Sequence, residues 1–158
     1  MRPLWQLAAE QYIGTKEYPG SESNPVIAGF WKLAKLSGIK DDAVPWCAGF
    51  ACAMLEKVGY KSPRSDAAKS FLSWGQPLSS PELGCIAVLK RPGGYHVFFV
   101  VGIDKSGDLY GLGGNQGDKV CVALFKAAQV LGYRKPEGTT LSALPVLAGV
   151  GSAVRSMA

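Results

Sequence analysis

The stretch DDAVPWCAGFACAML, residues 41–55, places a proline, a tryptophan and a cysteine at the head of an apolar segment. Counted from Cys47 as far as Val58, apolar residues recur at offsets of 0, 3, 4, 7, 8 and 11, which is the spacing of a helix packed on a core. Pro45 suits the first turn of such a helix, where a missing N–H breaks no hydrogen bond, and Gly59 is a typical residue to end it. The stretch therefore predicts a buried helix that carries Cys47 in its first turn.

The segments around this helix predict an α+β fold. Helical spacing predicts further helices at 4–13, 25–36 and 65–75. One stripe of the first helix would carry Leu4, Leu7, Ala8, Gln11 and Tyr12, and one face of the second would carry Ile27, Phe30, Trp31 and Ala34. After Pro81, runs of β-branched and aromatic residues predict strands at 85–90, 95–103, 108–114 and 119–125. Connections this short require antiparallel neighbours, so we expect helices packed on one face of an antiparallel β-sheet meander.

Composition and charge narrow the class of protein. The 158 residues are 47% hydrophobic and 18% charged, which favours one folded domain over a disordered chain. A net charge of +5 favours an anionic partner. The basic residues form no run of five, so nucleic acid is not the expected partner. The first twenty residues do not resemble a secretory signal, because polar residues interrupt their short apolar run.

The C-terminal segment is apolar but interrupted. Its stretch from Leu141 to Val154 is too short to span a bilayer and contains Pro145 and two glycines. We therefore expect residues 137–158 to form a loosely ordered or surface-docked tail. Weak contact with a membrane is the lesser alternative.

The four cysteines favour different roles. Cys52, Cys85 and Cys121 lie in apolar segments and are expected to be small buried side chains. The sequence has no CxxC pair and only one histidine, so we expect neither a metal nor another cofactor. Cys47 differs because the N–H groups and positive dipole end of a helix N-terminus favour a thiolate, the nucleophilic form.

A cysteine nucleophile needs a base, and His96 is the only histidine in the chain. It follows the turn RPGGY and begins the apolar strand YHVFFVVGI. A hairpin centred near Ser106 would bring the end of the next strand beside it. Asn115 is then nearly opposite His96 and is expected to accept a hydrogen bond from the imidazole, with the adjoining Gln116 as the alternative.

The motifs PWCAGF, GGYHVFFVVG and LGGNQGDKVCV together resemble the CHAP and NlpC-like cysteine hydrolases of peptidoglycan. The similarity is greatest to a small group in phage lysins, prophages and cell-wall-targeting proteins, and it extends from Leu4 to Pro136. The resemblance implies a papain-like fold over residues 1–136, with Cys47 as nucleophile, His96 as general base and Asn115 as orienting residue. It also implies cleavage of an amide in the stem or cross-bridge peptide of peptidoglycan, by an endopeptidase or an N-acetylmuramoyl-L-alanine amidase.

Several further expectations accompany this resemblance. The residues considered for a substrate groove are Trp46, Glu17, Asn24, Trp74 and Gln116, although core packing and loop capping also explain the first four. Asp41 and Asp42 could contact calcium, as in some CHAP domains, but two adjacent acids are few for that ion.

The expected protein is a monomer made without a signal peptide. As a lysin or antibacterial effector it would reach the periplasm or wall through a holin or a secretion system, and an effector could have an immunity or inhibitor protein as partner. The alternatives are a non-catalytic wall-binding module of the same fold and a Cys-His transferase or deamidase acting on proteins.

Overall fold

A computed structural model describes residues 1–20, 22–36, 38 and 45–157. One antiparallel sheet organises these residues, with its six strands in the order β1-β6-β2-β3-β4-β5. The strands are β1 (Gln76–Leu78), β2 (Ile86–Arg91), β3 (Gly94–Ile103), β4 (Leu109–Gly113), β5 (Cys121–Phe125) and β6 (Val130–Lys135). Strands β2 to β5 form a meander, and β6 returns to pair with β2 on the other side. The α+β class and the antiparallel meander are confirmed.

The helices are α1 (Leu4–Glu10), α2 (Pro25–Leu33), α3 (Cys47–Lys57) and α4 (Val150–Arg155). Two 3₁₀ segments join them, at Ala68–Ser73 and Ala127–Gln129. Helix α3 is apolar on all sides and is buried from Cys47 to Leu55, because it lies between α1, α2 and the sheet. Gly49 permits close packing there, since a Cβ at this position would lie 2.6 Å from Cζ3 of Trp31.

The two faces of β3 enter different apolar clusters. Val97, Phe99 and Val101 pack with α3, whereas Phe98 and Val100 pack with residues of the opposite face. This alternation follows from the two-residue period of a strand. It means that β3 is covered on both sides and that its ends, rather than its faces, are the places where a site can open.

Some boundaries differ from the sequence predictions. Helix α3 begins at Cys47, so Pro45 precedes the helix instead of lying in its first turn. The segment predicted as a helix at 65–75 is a short 3₁₀ segment followed by β1. The stripe predicted for α1 is right only in part. Ala8 and Tyr12 pack against the core, but Leu4 and Gln11 are exposed, and the buried residues are Trp5, Gln6 and Ala9. The common face predicted for α2 is buried at all four positions.

The C-terminal segment was expected to be either loosely ordered or docked on the surface, and the structure shows it docked beside the end of β3. The N–H of Ile103 donates to the carbonyl of Pro145 at 2.9 Å, and the N–H of Leu147 donates to that of Ile103 at 2.8 Å. Further along, Ala153 of α4 is fully buried against the core. Among the described residues, no helix is long and apolar enough to cross a bilayer.

Candidate active site

Cys47 is the first residue of α3 and is 6% exposed. Burial raises the pKa of the Cys47 thiol, and hydrogen bonding by the backbone of Val97 on β3, and then of Ala48 and Cys47, opposes that rise. Only donors stabilise a thiolate, so these contacts are N–H groups directed at sulfur. The sequence prediction that Cys47 lies at a helix N-terminus is confirmed.

The thiol lies where β3 and β4 separate. The N–H of Val100 donates to Cys85 beyond the start of β2, so alternation along β3 directs the N–H of Val97 toward the β4 side. Strand β4 ends at Gly113, and the register Phe99↔Leu112 would set residue 114 opposite residue 97 (99 + 112 = 211; 211 − 97 = 114). Among the described residues, the N–H of Val97 therefore has no partner beyond β4, and it acts on the Cys47 thiol instead.

His96 is fully buried, and its Nε2 lies 3.0 Å from Oε1 of Gln116. The amide of Gln116 is fixed by its own nitrogen, which donates to the carbonyls of Cys121 at 2.8 Å and Gly111 at 3.2 Å. Its oxygen must then face the ring, so Nε2 of His96 carries the proton and donates. The remaining nitrogen, Nδ1, holds a lone pair and has no hydrogen-bond partner among the described residues.

Arg91 acts electrostatically on both the thiol and the imidazole. Burial is the larger cause at each group, since it raises the pKa of Cys47 and lowers the pKa of His96. The positive charge of Arg91 opposes the rise at Cys47 and adds to the fall at His96. Val97, whose backbone bonds the thiol, is also the residue next to His96. These two observations place the thiol and the imidazole near the same end of β3. The imidazole contacts Phe98 and Phe125, which belong to the apolar cluster on the face opposite α3, whereas Cys47 packs in the cluster on the α3 side. Since Nδ1 has no partner, the two side chains are not hydrogen-bonded to each other, a contact that often forms only when substrate binds.

Burial dominates the electrostatics of this pair. It lowers the pKa of His96 to about 4, although the bond from Gln116 acts in the opposite direction. The aromatic rings of Phe98 and Phe125 lie 5.8 and 5.4 Å from the imidazole centroid and exclude water. Burial likewise raises the pKa of the Cys47 thiol. The buried pair therefore favours neutral thiol and neutral imidazole, and not the thiolate–imidazolium pair that a helix N-terminus alone predicts.

The structure puts Gln116 rather than Asn115 at the imidazole. The predicted register is close, since extending Phe99↔Leu112 sets residue 115 opposite residue 96 (99 + 112 = 96 + 115). However, β4 has already ended, and Asn115 adopts a left-handed conformation with φ of 56°. The strand register therefore does not continue to Asn115, and the side chain that contacts the ring is the next one, Gln116.

Two of the proposed groove residues belong to the interior. Trp46 is fully buried, and its Nε1 donates to Oε1 of Glu17 at 2.8 Å. Asn24 caps α2, because its Oδ1 accepts from the N–H of Val26 at 2.9 Å. Its amide nitrogen also donates to the carbonyl of Lys16. The predicted groove role of Trp46 is wrong, because its side chain has no exposed surface. Glu17 supports Trp46, and Asn24 supports the loop before α2.

Trp74 is half-buried and lines a surface cavity of about 390 Å³. Its Nε1 donates to the carbonyl of Lys61 at 2.9 Å, and its ring contacts Phe71 edge-on. Neither Cys47 nor His96 lines this cavity. The structure therefore does not bring Trp74 into the candidate site.

The remaining cysteines are free thiols. Cys52 and Cys85 are fully buried, as predicted. Cys121 is half-buried instead, and its Sγ donates to the carbonyl of Gln116 at 3.4 Å, so it belongs to the surroundings of the orienting amide. In the part of the chain that the structure describes, no three His, Cys, Asp or Glu side chains could hold a metal ion. Asp41 and Asp42 lie outside the described residues.

Sequence reasoning missed two contributors to this site, Arg91 and the backbone of Val97. Arg91 stands just before the Pro-Gly-Gly turn that leads to His96, which is the only signal for its role. Comparison with known proteins adds nothing to the geometry: no family model, no curated protein and no solved structure matches the chain.

Proposed function

We propose that this protein is a cysteine hydrolase of papain-like organisation that cleaves an amide bond through Cys47, His96 and Gln116. The observation that supports it most is the hydrogen bond between His96 and Gln116. That bond leaves Nδ1 unprotonated at the end of β3 where the thiol of Cys47 meets the backbone of Val97. A nucleophile, a base with a free lone pair and an orienting amide are the parts that thiol-based acyl transfer requires.

In the proposed reaction Nδ1 of His96 takes the thiol proton as Sγ of Cys47 attacks the amide carbonyl carbon. The carbonyl π electrons move to oxygen, and the N–H groups at the start of α3 stabilise that oxyanion. Collapse of the intermediate breaks the C–N bond, and His96 returns the proton to the leaving amine. The products of this half are a free amine and a thioester on Cys47.

The second half removes the acyl group. His96 takes a proton from water as the water oxygen attacks the thioester carbonyl, and the C–S bond then breaks. The proton returns to sulfur, so the acyl group leaves as a carboxylic acid and the thiol is restored. Burial of both groups opposes this proton transfer in the resting pair, so the reaction depends on the N–H groups at the start of α3 to stabilise the charge that develops in the transition state.

Peptidoglycan is the substrate that we propose for this chemistry. The support is the resemblance of the PWCAGF, GGYHVFFVVG and LGGNQ motifs to peptidoglycan hydrolases. The net charge of +5 also suits an anionic wall. The bond would be an amide of the stem or cross-bridge peptide, cleaved by a lysin or by an effector delivered to the wall.

Mass spectrometry of purified peptidoglycan after incubation with the protein tests this function. Hydrolysis predicts paired fragments that end in a new amine and a new carboxylate, whose masses identify the bond. Fragments joined to an added amine would indicate a transferase, and a loss of ammonia without cleavage would indicate a deamidase. Binding to the wall without any fragment would support a non-catalytic module and contradict the proposal.

A further inference from the structure

A surface groove lies at the end of α3 that is opposite to Cys47. Its first part is the cavity of about 390 Å³ that Trp74 and Tyr60 line. A second cavity, of about 410 Å³, adjoins the first at Tyr60. Residues 136–137 line the first cavity and residues 138–141 line the second, so one stretch of backbone runs along both. We call the two cavities together the aromatic groove.

The two aromatic side chains of the first cavity are held in fixed orientations. The indole of Trp74 is held by the hydrogen bond from its Nε1 to the carbonyl of Lys61 and by its edge-on contact with Phe71. The ring of Tyr60 packs edge-on against Trp5, with the two centroids 5.2 Å apart. Phe71 and Trp5 belong to the buried core, whereas Trp74 and Tyr60 are half-buried. Both half-buried rings therefore keep surface that a ligand in the groove can contact.

The polar groups of the first cavity have both signs of charge. Lys61 and Glu137 provide one cation and one carboxylate, and neither forms an ion pair with another described residue. Ser73 adds a hydroxyl that donates to the carbonyl of Ser70, and its oxygen can still accept. The charges of the lysine and the glutamate cancel, so the cavity favours a neutral ligand whose own hydroxyl groups both donate and accept.

The neighbouring sheet edge does not favour an extended peptide. Gly75 lines the first cavity and directly precedes the edge strand β1. Pro77, at the centre of β1, has no N–H to offer to an added strand. A sugar needs no such edge, because the C–H groups on one face of a pyranose pack on the electron-rich face of an aromatic ring.

We propose that the aromatic groove binds a glycan strand, with one pyranose ring packed on Trp74 and the following sugars extending past Tyr60. The volume of the first cavity lies within the range of roughly 300 to 1,000 Å³ that is usual for ligand sites. The second cavity continues the first, which suits a linear polymer more than a single small molecule.

The groove is separate from the candidate active site. Helix α3 has 11 residues and is therefore about 16 Å long, with Cys47 at its start and Tyr60 just beyond its end. A glycan bound in the groove would hold the wall while an amide is cleaved at the other end of the helix, and two linked contacts bind more tightly than one. That role in the wall rests on the proposed function, whereas the binding of a glycan does not.

Chitohexaose, a soluble oligomer of β-linked N-acetylglucosamine without a stem peptide, tests this inference. It would be titrated into isotope-labelled Cys47→Ala protein while the indole N–H signals are followed by nuclear magnetic resonance. The signal of Trp74 can be assigned because Trp74→Phe lacks it. We expect this signal to shift until the protein is saturated, and we expect the signals of the buried Trp5 and Trp46 to shift less.

Calorimetric titration of variants locates the contact. Trp74→Ala should raise the Kd for chitohexaose about tenfold, whereas Trp74→Phe retains a ring and should raise it about threefold. Tyr18→Ala is the matched control, because Tyr18 is 44% exposed and lines neither cavity, and its Kd should equal that of the parent protein. Circular dichroism of each variant would verify folding.

The possible outcomes separate the groove from the proposed reaction. An absent shift of the Trp74 signal at any chitohexaose concentration, or an unchanged Kd in folded Trp74→Ala, overturns the glycan inference and leaves the hydrolase proposal standing. A shift caused by the free stem peptide but not by chitohexaose would indicate a peptide ligand and would also overturn it. If Trp74→Ala does not fold, the indole signal and Trp74→Phe decide. Chitohexaose binding at Trp74 by a wild-type protein that releases no peptidoglycan fragments would support the groove and contradict the hydrolase proposal.

Discussion

Nε2 of His96 lies 3.0 Å from Oε1 of Gln116, and the opposite ring nitrogen has no hydrogen-bond partner among the described residues. The amide is itself held by two backbone carbonyls, of Gly111 and Cys121. Its oxygen therefore cannot exchange places with its nitrogen without losing both bonds. This arrangement selects one tautomer of the histidine and leaves the lone pair on Nδ1, which is the base of the proposed reaction.

The first prediction separates Gln116 from its neighbour. Gln116→Ala should lower kcat by roughly tenfold or more, since the imidazole loses the partner that fixes its tautomer. Asn115→Gly preserves the left-handed turn and should lower kcat by less than about threefold relative to the wild type. Steady-state kinetics on released muropeptide amines would measure both. A larger loss in the Asn115 variant would contradict the assignment of Gln116.

The pH dependence of alkylation tests the charge state of the nucleophile. Because burial raises the pKa of Cys47 and lowers that of His96, the thiolate should form in one step, at a pH above the ordinary thiol value of 9.0. The measurement is the rate of iodoacetamide labelling of the Cys47 peptide, followed by mass spectrometry so that the half-buried Cys121 does not contribute. A second, acidic limb that disappears in His96→Ala would show a thiolate–imidazolium pair and contradict this account.

Burial of His96 also predicts how stability changes with pH. Its pKa is about 4 in the folded chain against an ordinary value of 6.5, so the unfolded chain takes up the proton first as pH falls. The free energy of unfolding therefore holds its full value, as far as His96 affects it, above pH 6.5. It falls progressively between pH 6.5 and pH 4, by about 3 kcal/mol in total.

Urea unfolding of the wild type and of His96→Phe would measure this loss across that window. The free energy of unfolding of the phenylalanine variant should depend less on pH. Both proteins contain the same carboxylates, so their effect cancels when one curve is subtracted from the other. Parallel curves would mean that His96 is as solvated in the folded chain as in the unfolded one.

A further prediction concerns Trp46. Since its N–H donates to Glu17 inside the core, Trp46→Phe should lower the free energy of unfolding by about 1 kcal/mol. KM should change less than twofold, because a buried ring contacts no substrate. Glu17→Gln keeps an acceptor for the indole and is the matched control, with a smaller loss of stability. A tenfold rise in KM in Trp46→Phe, with an unchanged free energy of unfolding, would contradict this structural role and would indicate that Trp46 contacts the substrate.

Much of the fold could be predicted because periodic apolar patterns are local. The offsets from Cys47 and the alternating residues of β3 each identify an element without reference to the rest of the chain. Strand β6 is not predicted because none of its residues Val130–Lys135 is fully buried, and it depends on β1 and β2 for its pairing. The stripe predicted for α1 is right only in part, because tertiary packing directs Trp5 rather than Leu4 into the core.

Residue types and their spacing are enough to predict part of the candidate site. A helix-terminal cysteine and a single histidine select Cys47 and His96 directly. The choice between Asn115 and Gln116 depends on one backbone angle, the positive φ of Asn115, which no pattern of apolar residues reveals. The neutral state of His96 likewise depends on burial by Phe98 and Phe125, because both rings reach the imidazole only in the folded sheet.

The identity of the nucleophile is the central claim, and one comparison tests it most directly. Release of soluble fragments from purified peptidoglycan would be measured for the wild type, Cys47→Ala and Cys52→Ala, with folding verified by circular dichroism. Cys52 is the matched control, since it lies five positions later on the same helix and is also buried. The account predicts that Cys47→Ala releases nothing above background while Cys52→Ala keeps most of the activity. Fragment release by a folded Cys47→Ala protein at a rate near the wild type would contradict it.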